Sequence, residues 1–191
     1  MRVIAGLAKG MSLAVPRRGV RPTADRIREA IFSSLGARAR DGRVLDLFAG
    51  TGALGVEAAS RGAVSVTFVE NARGALECLE QNAGELINRF RGGNPAATPP
   101  SLEIARDDVP TALKRMALDR RRFSLIFADP PYGGAAQELM RDERLPLLMT
   151  SEGLFVLESA QRDVLTVIEP WELVREAVYG DTRVSFLRTK R

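Results

Sequence analysis

The fold is decided by a stretch that reads Val44-Leu45-Asp46-Leu47-Phe48-Ala49-Gly50-Thr51-Gly52-Ala53-Leu54-Gly55. Its apolar beginning predicts a buried strand, and its glycines form the pattern G-x-G-x-x-G before a helical stretch that runs to about Arg61. Glu70 lies 20 residues after Gly50, at the end of the next predicted strand. An acid at that place can accept hydrogen bonds from both hydroxyls of a ribose. The stretch therefore predicts a ribose-containing cofactor between the first two strands.

Strand and helix patterns alternate from Arg43 to the end of the chain. Buried strands that alternate with helices predict an α/β, Rossmann-like fold, with a mostly parallel, seven-stranded, doubly wound sheet and an antiparallel C-terminal strand. Its ligands should bind at the carboxyl ends of the central strands. The chain is predicted to begin with a hairpin of Arg2–Ala5 and Met11–Val15 and a helix capped by Thr23. Strands are predicted at 44–48, 64–69, 102–105, 123–128, 153–158, 171–179 and 184–189, and the last two are joined at Gly180-Asp181. Further helices are predicted at 72–90, 110–118 and 135–149, and the last of them is broken at Pro146.

The charge of the chain is distributed unevenly. Residues 1–43 carry ten Arg or Lys and three acids, a balance of +7, whereas the rest of the chain has a balance of −3. The polar stretch 36–42 is the expected boundary between a basic N-terminal extension at 1–42 and a cofactor-binding domain at 43–191. A basic extension on an acidic body favours a polyanionic partner such as nucleic acid.

The composition excludes several kinds of site. The chain has no histidine, which excludes a Ser-His-Asp triad, a Cys-His pair and a histidine-ligated metal site. It has one cysteine, which excludes a disulfide framework. We expect no metal. The apolar runs are shorter than the roughly 20 residues of a membrane span, and no targeting segment is visible. These observations favour a cytoplasmic protein, and nothing in them demands more than a monomer.

The glycine loop fits two classes of cofactor. A nicotinamide dinucleotide places its pyrophosphate on bare backbone amides, whereas S-adenosylmethionine has no phosphate and carries an ammonium group on its amino-acid end. Asp46 ends the first strand, four residues before Gly50. A carboxylate there suits a cationic amino-acid end and opposes a pyrophosphate. Asp46 therefore favours S-adenosylmethionine.

A second motif, Asp129-Pro130-Pro131-Tyr132, follows the fourth predicted strand. Two consecutive prolines remove two backbone donors and leave carbonyl acceptors beside a carboxylate. Acceptors without donors suit an exocyclic amino group, which presents two N–H bonds. Tyr132 can stack on a planar ring, a contact of roughly 1–3 kcal/mol per base. The motif therefore predicts a site for the amino group of a nucleobase.

Together the two motifs resemble a known family. D-P-P-Y after the fourth strand, with D-x-F-x-G-x-G after the first, is similar to amino-group methyltransferases that use S-adenosylmethionine. The block Arg21-Pro22-Thr23-Ala24-Asp25-Arg26-Ile27-Arg28-Glu29-Ala30-Ile31-Phe32 narrows the resemblance to the RsmD family, bacterial enzymes that methylate a guanine N2 of 16S ribosomal RNA. The resemblance covers nearly the whole chain and continues in 2–6, 46–58, 60–63 and 180–187.

The resemblance implies a class I methyltransferase fold, S-adenosylmethionine as methyl donor, S-adenosylhomocysteine (SAH) as product, and 16S ribosomal RNA or a small-subunit assembly particle as partner. Asp129 and the Pro130 carbonyl would accept the N2 hydrogens of an extruded guanine, and Tyr132 would stack on it. The implied cofactor residues are Asp46, Phe48, Gly50, Thr51, Gly52, Glu70, Asn71, Asp107, Asp108 and Asp129. The implied RNA-binding residues are Arg17, Arg18, Arg21, Arg26 and Arg28. Arg26 and Arg28 could instead form ion pairs with acids of the protein.

Asp107 and Asp108 have two interpretations. Either can accept a hydrogen bond from the adenine amino group at the end of the third strand. Either can instead cap the next helix, because Asp108 directly precedes Val109-Pro110. The connection at 91–101 is longer than is usual in the family, and counting back from Leu113 favours Asp108 as the adenine contact.

Other functions remain as alternatives. The amino groups of DNA bases or the amide of a protein glutamine also suit the D-P-P-Y motif, although a protein substrate would not need the basic extension. A nicotinamide-dependent oxidoreductase shares the glycine pattern and is disfavoured by Asp46. A non-catalytic RNA-binding assembly factor would not need the glycine loop, Glu70 and Asp129.

Overall fold

The computed structural model describes residues 1–16, 25–93 and 97–190. Strands and helices alternate as predicted, and the predicted cap at Thr23 lies outside the described residues. The elements, in chain order, are α1 (Asp25–Leu35), β1 (Arg43–Leu47), α2 (Ala53–Ser60), β2 (Ser65–Val69), α3 (Arg73–Gly92), β3 (Ser101–Ala105), α4 (Val109–Leu118), β4 (Phe123–Ala128), α5 (Ala135–Arg141), α6 (Arg144–Leu147), β5 (Met149–Ala160), β6 (Trp171–Tyr179) and β7 (Thr182–Thr189).

The strands form one sheet in the order β3-β2-β1-β4-β5-β7-β6. Neighbouring strands from β3 to β5 are parallel, and β7 is antiparallel to both of its neighbours. The mostly parallel, seven-stranded sheet with an antiparallel C-terminal strand is therefore confirmed. Strand order reverses between β1 and β4, and the carboxyl ends at this reversal are where ligands of such sheets bind.

Helices cover both faces of the sheet, because the inner strands are apolar on both sides. On one face, Val44, Phe68 and Phe127 pack with α1, α2 and α3. On the other face, Leu45 and Ile126 pack with α4, α5 and α6. The alternation along each strand therefore gives two hydrophobic layers and leaves the strand ends for polar residues.

The N-terminal segment lies against α2 and shares the first of these layers. Val3 and Met11 are buried in the same cluster as Phe32 of α1 and the sheet residues. The predicted hairpin is reduced to one antiparallel bridge, between Arg2 and Ser12, with backbone hydrogen bonds on either side of it. Residues 1–16 and α1 thus belong to the main hydrophobic core and do not build a core of their own.

Two element boundaries differ from the sequence prediction. The helical stretch 135–149 breaks at Asp142 and Glu143, where Asp142 accepts a hydrogen bond from the Arg144 backbone amide. Pro146 lies inside α6, in the first turn, where a helix needs no backbone donor. β5 is longer than predicted at both ends, because Met149 pairs with Phe123 of β4 at one end and β7 pairs with β5 as far as Ala160 at the other. Within the described residues, no helix is both long and apolar enough to cross a membrane.

Candidate active site

Three carboxylates lie at the carboxyl ends of the central strands. Asp46 is in β1, Glu70 directly follows β2, and Asp129 directly follows β4. The strand register pairs Leu47 with both Val69 and Ala128, so that the ends of the three strands are level. The structure therefore brings together the acids that the two sequence motifs predicted to share a site.

The glycine loop turns the chain sharply from β1 into α2. Gly50 and Gly52 have φ angles of 57° and 77°, in the left-handed region that favours glycine. A Cβ atom on Gly52 would lie 2.3 Å from Leu79, and one on Gly55 would lie 2.3 Å from the Phe68 ring. The glycines of this loop are therefore needed for its conformation and for close packing of α2.

Glu70 holds this loop against the start of α3. Its Oε2 accepts a hydrogen bond from the Gly50 amide at 2.7 Å, and its Oε1 accepts bonds from the Asn71 and Ala72 amides at 2.9 and 2.8 Å. A carboxylate oxygen has two lone pairs, so Oε2, which accepts one bond here, keeps one lone pair for a further donor. Glu70 can therefore fix the loop and still accept a bond from a ligand hydroxyl.

Asp46 is buried beneath the loop, and its Oδ2 accepts a hydrogen bond from the Gly55 amide at 2.9 Å. The pKa of Asp46 is raised to about 8, chiefly by burial. The Gly55 hydrogen bond opposes this rise, and the neighbouring charges of Asp129 and Glu70 add to it. Such a group holds its proton until a cation comes near. The three acids thus fit a ligand with a positive amino-acid end and not a pyrophosphate.

The raised pKa of Asp46 predicts how stability depends on pH. Between about pH 4 and pH 8 the folded protein keeps a proton on Asp46 that the unfolded chain has released, so that the contribution of Asp46 to stability falls as the pH rises. We expect Asp46→Asn to flatten the dependence of the free energy of unfolding over this range. Urea titrations at pH 5, 6.5 and 8 measure it, and parallel curves for the two proteins would contradict the assignment.

Asp107 and Asp108 follow β3 and already have protein partners. Asp108 is the N-cap of α4 and accepts a hydrogen bond from the Thr111 amide at 2.7 Å. The bonds from Thr111 hold the pKa of Asp108 below its ordinary value. Asp107 forms an ion pair with Arg115. The capping interpretation of Asp108 is confirmed, whereas an adenine contact by either residue stays a prediction.

The D-P-P-Y motif forms the other side of the site. Asp129 and Pro130 leave β4 next to Asp46, and Tyr132 is 45% exposed. Gly133 and Gly134 follow with φ angles of 97° and 100° and lead into α5. An exposed ring beside two flexible residues is available to stack on an incoming planar group.

The basic residues of the extension have different surroundings. Arg26 is exposed, and Arg17, Arg18 and Arg21 lie outside the described residues. Arg28 is fully buried: it forms an ion pair with Asp25, lies 3.7 Å from Glu57 and donates a hydrogen bond to the Arg2 carbonyl. The prediction that Arg28 binds RNA is therefore wrong, because its guanidinium is enclosed by the protein.

Two residues that the sequence analysis did not single out tie the N-terminal segment to the site. Glu57 of α2 accepts hydrogen bonds from the Ile4 and Ala5 amides at 2.7 and 3.0 Å. Asn82 of α3 accepts a bond from the Ala14 amide and donates to the carbonyls of Ala14 and of Thr51 in the glycine loop. Both are single polar residues on buried helix positions, and this break in the apolar pattern was the available signal.

Within the described residues, no group of three or more His, Cys, Asp or Glu side chains is arranged to hold a metal ion.

Comparison with known proteins identifies the family. A family profile described as "Conserved hypothetical protein 95" matches residues 1–188. The chain belongs to this family.

Members of the family are similar over nearly their whole length. The Ribosomal RNA small subunit methyltransferase D of Escherichia coli K12 is 34% identical over 187 residues, which cover 94% of this chain and 85% of that protein. A solved structure of a hypothetical protein from Thermus thermophilus has 30% identity and a TM-score of 0.80, and covers 99% of both chains. The resemblance to the RsmD family is thereby confirmed.

A more distant solved structure, SMU.776 complexed with SAH, shares the fold. It is 17% identical, with a TM-score of 0.63, and the match covers 86% of this chain and 48% of that one. The α/β architecture therefore extends beyond the family.

Proposed function

We propose that this protein methylates the N2 amino group of a guanine in 16S ribosomal RNA, with S-adenosylmethionine as methyl donor. The observation that carries the proposal is the placement of Asp129-Pro130-Pro131-Tyr132 beside the acids Asp46 and Glu70 at the carboxyl ends of adjacent strands. The relative named Ribosomal RNA small subunit methyltransferase D supports RNA as substrate. SAH in the related fold of SMU.776 supports the cofactor.

The chain's own residues fit this cofactor. Glu70 would accept hydrogen bonds from the ribose, and the buried Asp46 would face the cationic amino-acid end. Phe48, Gly50, Thr51 and Gly52 of the glycine loop and Asn71, directly after Glu70, would also contact the cofactor, and Asp107 or Asp108 would meet the adenine. When bound, S-adenosylmethionine supplies a methyl group activated by a positively charged sulfur.

The D-P-P-Y motif would hold the target amine. Guanine N2 is enclosed when the base is paired and stacked, so the base has to leave its stack to reach a pocket at the strand ends. Asp129 and the Pro130 carbonyl would accept hydrogen bonds from the two N2 hydrogens. The nitrogen lone pair would then no longer be delocalised into the guanine ring. Tyr132 would stack on the base and fix its plane. Catalysis would then rest largely on positioning.

A histidine base is not required for this reaction. An amine that has gained a methyl group carries a positive charge and is strongly acidic, so its proton is lost readily after the transfer. Asp129, which would already accept one of the N2 hydrogens, would receive that proton. The proposal is therefore consistent with a chain that contains no histidine.

Arginines of the extension would contact the RNA backbone. Arg26 is available for this role in the structure, and Arg17, Arg18 and Arg21 are proposed from the sequence. Phosphate contacts of this kind supply affinity and orientation but little sequence information, and they weaken steeply with salt. We propose that the enzyme acts as a monomer on 16S ribosomal RNA or on a small-subunit assembly particle.

Transfer of tritium-labelled methyl groups tests the proposal. The protein is incubated with labelled S-adenosylmethionine and, in parallel, with 16S ribosomal RNA, small-subunit particles, duplex DNA or bulk protein. We expect label in the RNA-containing samples alone. Label in DNA or protein would support the alternative substrates, and binding of a nicotinamide dinucleotide instead of S-adenosylmethionine would support an oxidoreductase.

A further inference from the structure

Two loops meet at the end of the sheet opposite the candidate active site. Residues 36–42 lead into the amino end of β1, and residues 119–122 lead into the amino end of β4. The Arg43 amide donates a hydrogen bond to Ser124 Oγ at 3.1 Å. A Cβ atom on Gly42 would lie 2.8 Å from the same oxygen. The amino ends of β1 and β4 are therefore in contact, and the two loops that lead into them lie side by side at this end of the sheet.

The surface of these loops carries unpaired positive charge. Five exposed arginines lie on these loops or directly after them and form no ion pair within the described part of the chain, and the exposed acids of the same two loops are Asp41 and Asp119. Three positive charges are thus in excess. We name it the arginine surface, and its members are Arg38, Arg40, Arg43, Arg120 and Arg122.

Several arginines elsewhere are paired with acids on the same or a neighbouring element. Arg73 and Arg89 pair with Glu77 and Glu85 one helical turn away on α3, and Arg106 pairs with Glu80. Because each of these arginines is paired with a nearby acid, little net positive charge remains around them. The arginine surface differs because its side chains are concentrated and uncompensated.

Contacts of the Arg121 side chain hold the second loop in place. Arg121, between the exposed Arg120 and Arg122, pairs with Glu103, donates to Thr67 Oγ1 at 2.7 Å and lies over the Phe123 ring. Arg120 has a φ angle of 53°, a left-handed conformation that is strained for a residue with a Cβ atom. The loop thus places an arginine at a position where glycine or asparagine would be less strained.

The groove beside the arginine surface has a mixed charge. Arg38 lines this groove of about 560 Å³ together with Glu152, Glu172, Arg188 and Lys190. Glu172 is paired with Arg188, and Lys190 is paired with Glu169. The groove therefore lacks the uniformly positive lining that the two loops present.

From this arrangement we infer that the arginine surface binds the phosphate backbone of a second segment of ribosomal RNA, separate from the segment that carries the target base. The inference rests on the proposed function. Guanidinium groups match phosphate geometry with paired donors, and such contacts position an RNA without reading its sequence. β1 alone spans about 17 Å at roughly 3.3 Å per residue, so one nucleotide in the active site cannot also reach this end. The RNA must therefore extend around the side of the protein.

Salt-dependent binding of 16S ribosomal RNA tests the inference. The double variant Arg43→Gln/Arg122→Gln removes two charges from the arginine surface. The matched control, Arg89→Gln/Arg175→Gln, removes two exposed charges from α3 and β6. Log affinity falls with log salt concentration, and each lost phosphate contact makes this slope shallower by about 0.7–0.9. We expect the first variant to lose roughly 1.5 from the slope and on the order of tenfold in affinity near physiological salt, and the control to match the wild type.

The rate of methyl transfer separates this inference from the proposed function. At saturating RNA, the first variant should keep the single-turnover rate of the wild type, since the arginine surface lies away from the site. Equal salt slopes for all three proteins would overturn the inference and leave an acidic protein as the occupant of the surface. Absence of methyl transfer by the wild type would overturn the proposed function, whatever the slopes.

Discussion

Asp129→Ala should lower the single-turnover rate of methyl transfer by roughly 100-fold while S-adenosylmethionine still binds. In the proposed arrangement the Asp129 carboxylate accepts a hydrogen bond from the target amine and helps to direct its lone pair. A hydrogen bond to a charged group contributes about 1.5–3 kcal/mol, which corresponds to about 10- to 150-fold in rate when the bond acts in the transition state. Rates at saturating RNA and cofactor, with equilibrium dialysis for cofactor affinity, measure the two effects separately.

Asp129→Asn is the matched control for this prediction. The amide keeps one acceptor oxygen with nearly the same shape and loses the charge, so its rate should lie between those of alanine and wild type. Asp129 also raises the pKa of Asp46, so both substitutions should lower that pKa. An alanine variant that binds the cofactor and transfers methyl groups at nearly the wild-type rate would show that Asp129 does not hold the amine.

Glu57→Ala should reduce the free energy of unfolding by about 3–5 kcal/mol, the range measured when one partner of a buried ion pair is removed. Glu57 and Arg28 are both fully buried, and Glu57 also accepts hydrogen bonds from Ile4, Ala5 and Arg61. Its loss removes the buried one of the two acids that pair with Arg28 and leaves two backbone amides without their acceptor. The N-terminal segment should then detach from α2, which urea unfolding and hydrogen exchange at Ile4 and Ala5 would detect.

A pair of controls shows whether burial is the cause. Glu77→Ala breaks an exposed ion pair with Arg73 on α3, and such pairs contribute about 0–1 kcal/mol. Glu57→Gln keeps an acceptor for one backbone amide and should be less harmful than alanine, although it still removes the buried negative charge beside Arg28. Equal stabilities for Glu57→Ala and Glu77→Ala would contradict the role of Glu57 as the buried anchor of the segment.

The sequence was sufficient to predict the sheet and the placement of its acids. Short apolar runs separated by helical patterns predict a parallel sheet, and parallel strands bring their carboxyl ends to one edge. Asp46, Glu70 and Asp129 each stand at such an end, so their proximity follows from topology alone. The bounds of β4 agree with the prediction because its apolar run ends abruptly at Asp129 and the prolines.

Long-range polar contacts could not be predicted in the same way. An arginine beside acids on a short helix reads as solvent-exposed, but Arg28 faces Glu57, which lies 29 positions further along the chain and on another helix. The position of Asn82 against Thr51 and Ala14 likewise depends on how three separate segments pack. The helix break at Asp142 was misplaced because a proline is harmless in the first turn of a new helix.

Nucleoside analysis of methylated 16S ribosomal RNA tests the central claim most directly. The RNA is treated with the protein and isotopically labelled S-adenosylmethionine, digested to nucleosides and examined by mass spectrometry, with Asp129→Ala as the inactive reference. We predict one labelled product, N2-methylguanosine, formed by the wild type and strongly reduced in the variant. Label on another nucleoside, or in equal amounts with both proteins, would contradict the assignment of the Asp129-Pro130-Pro131-Tyr132 site to the guanine amino group.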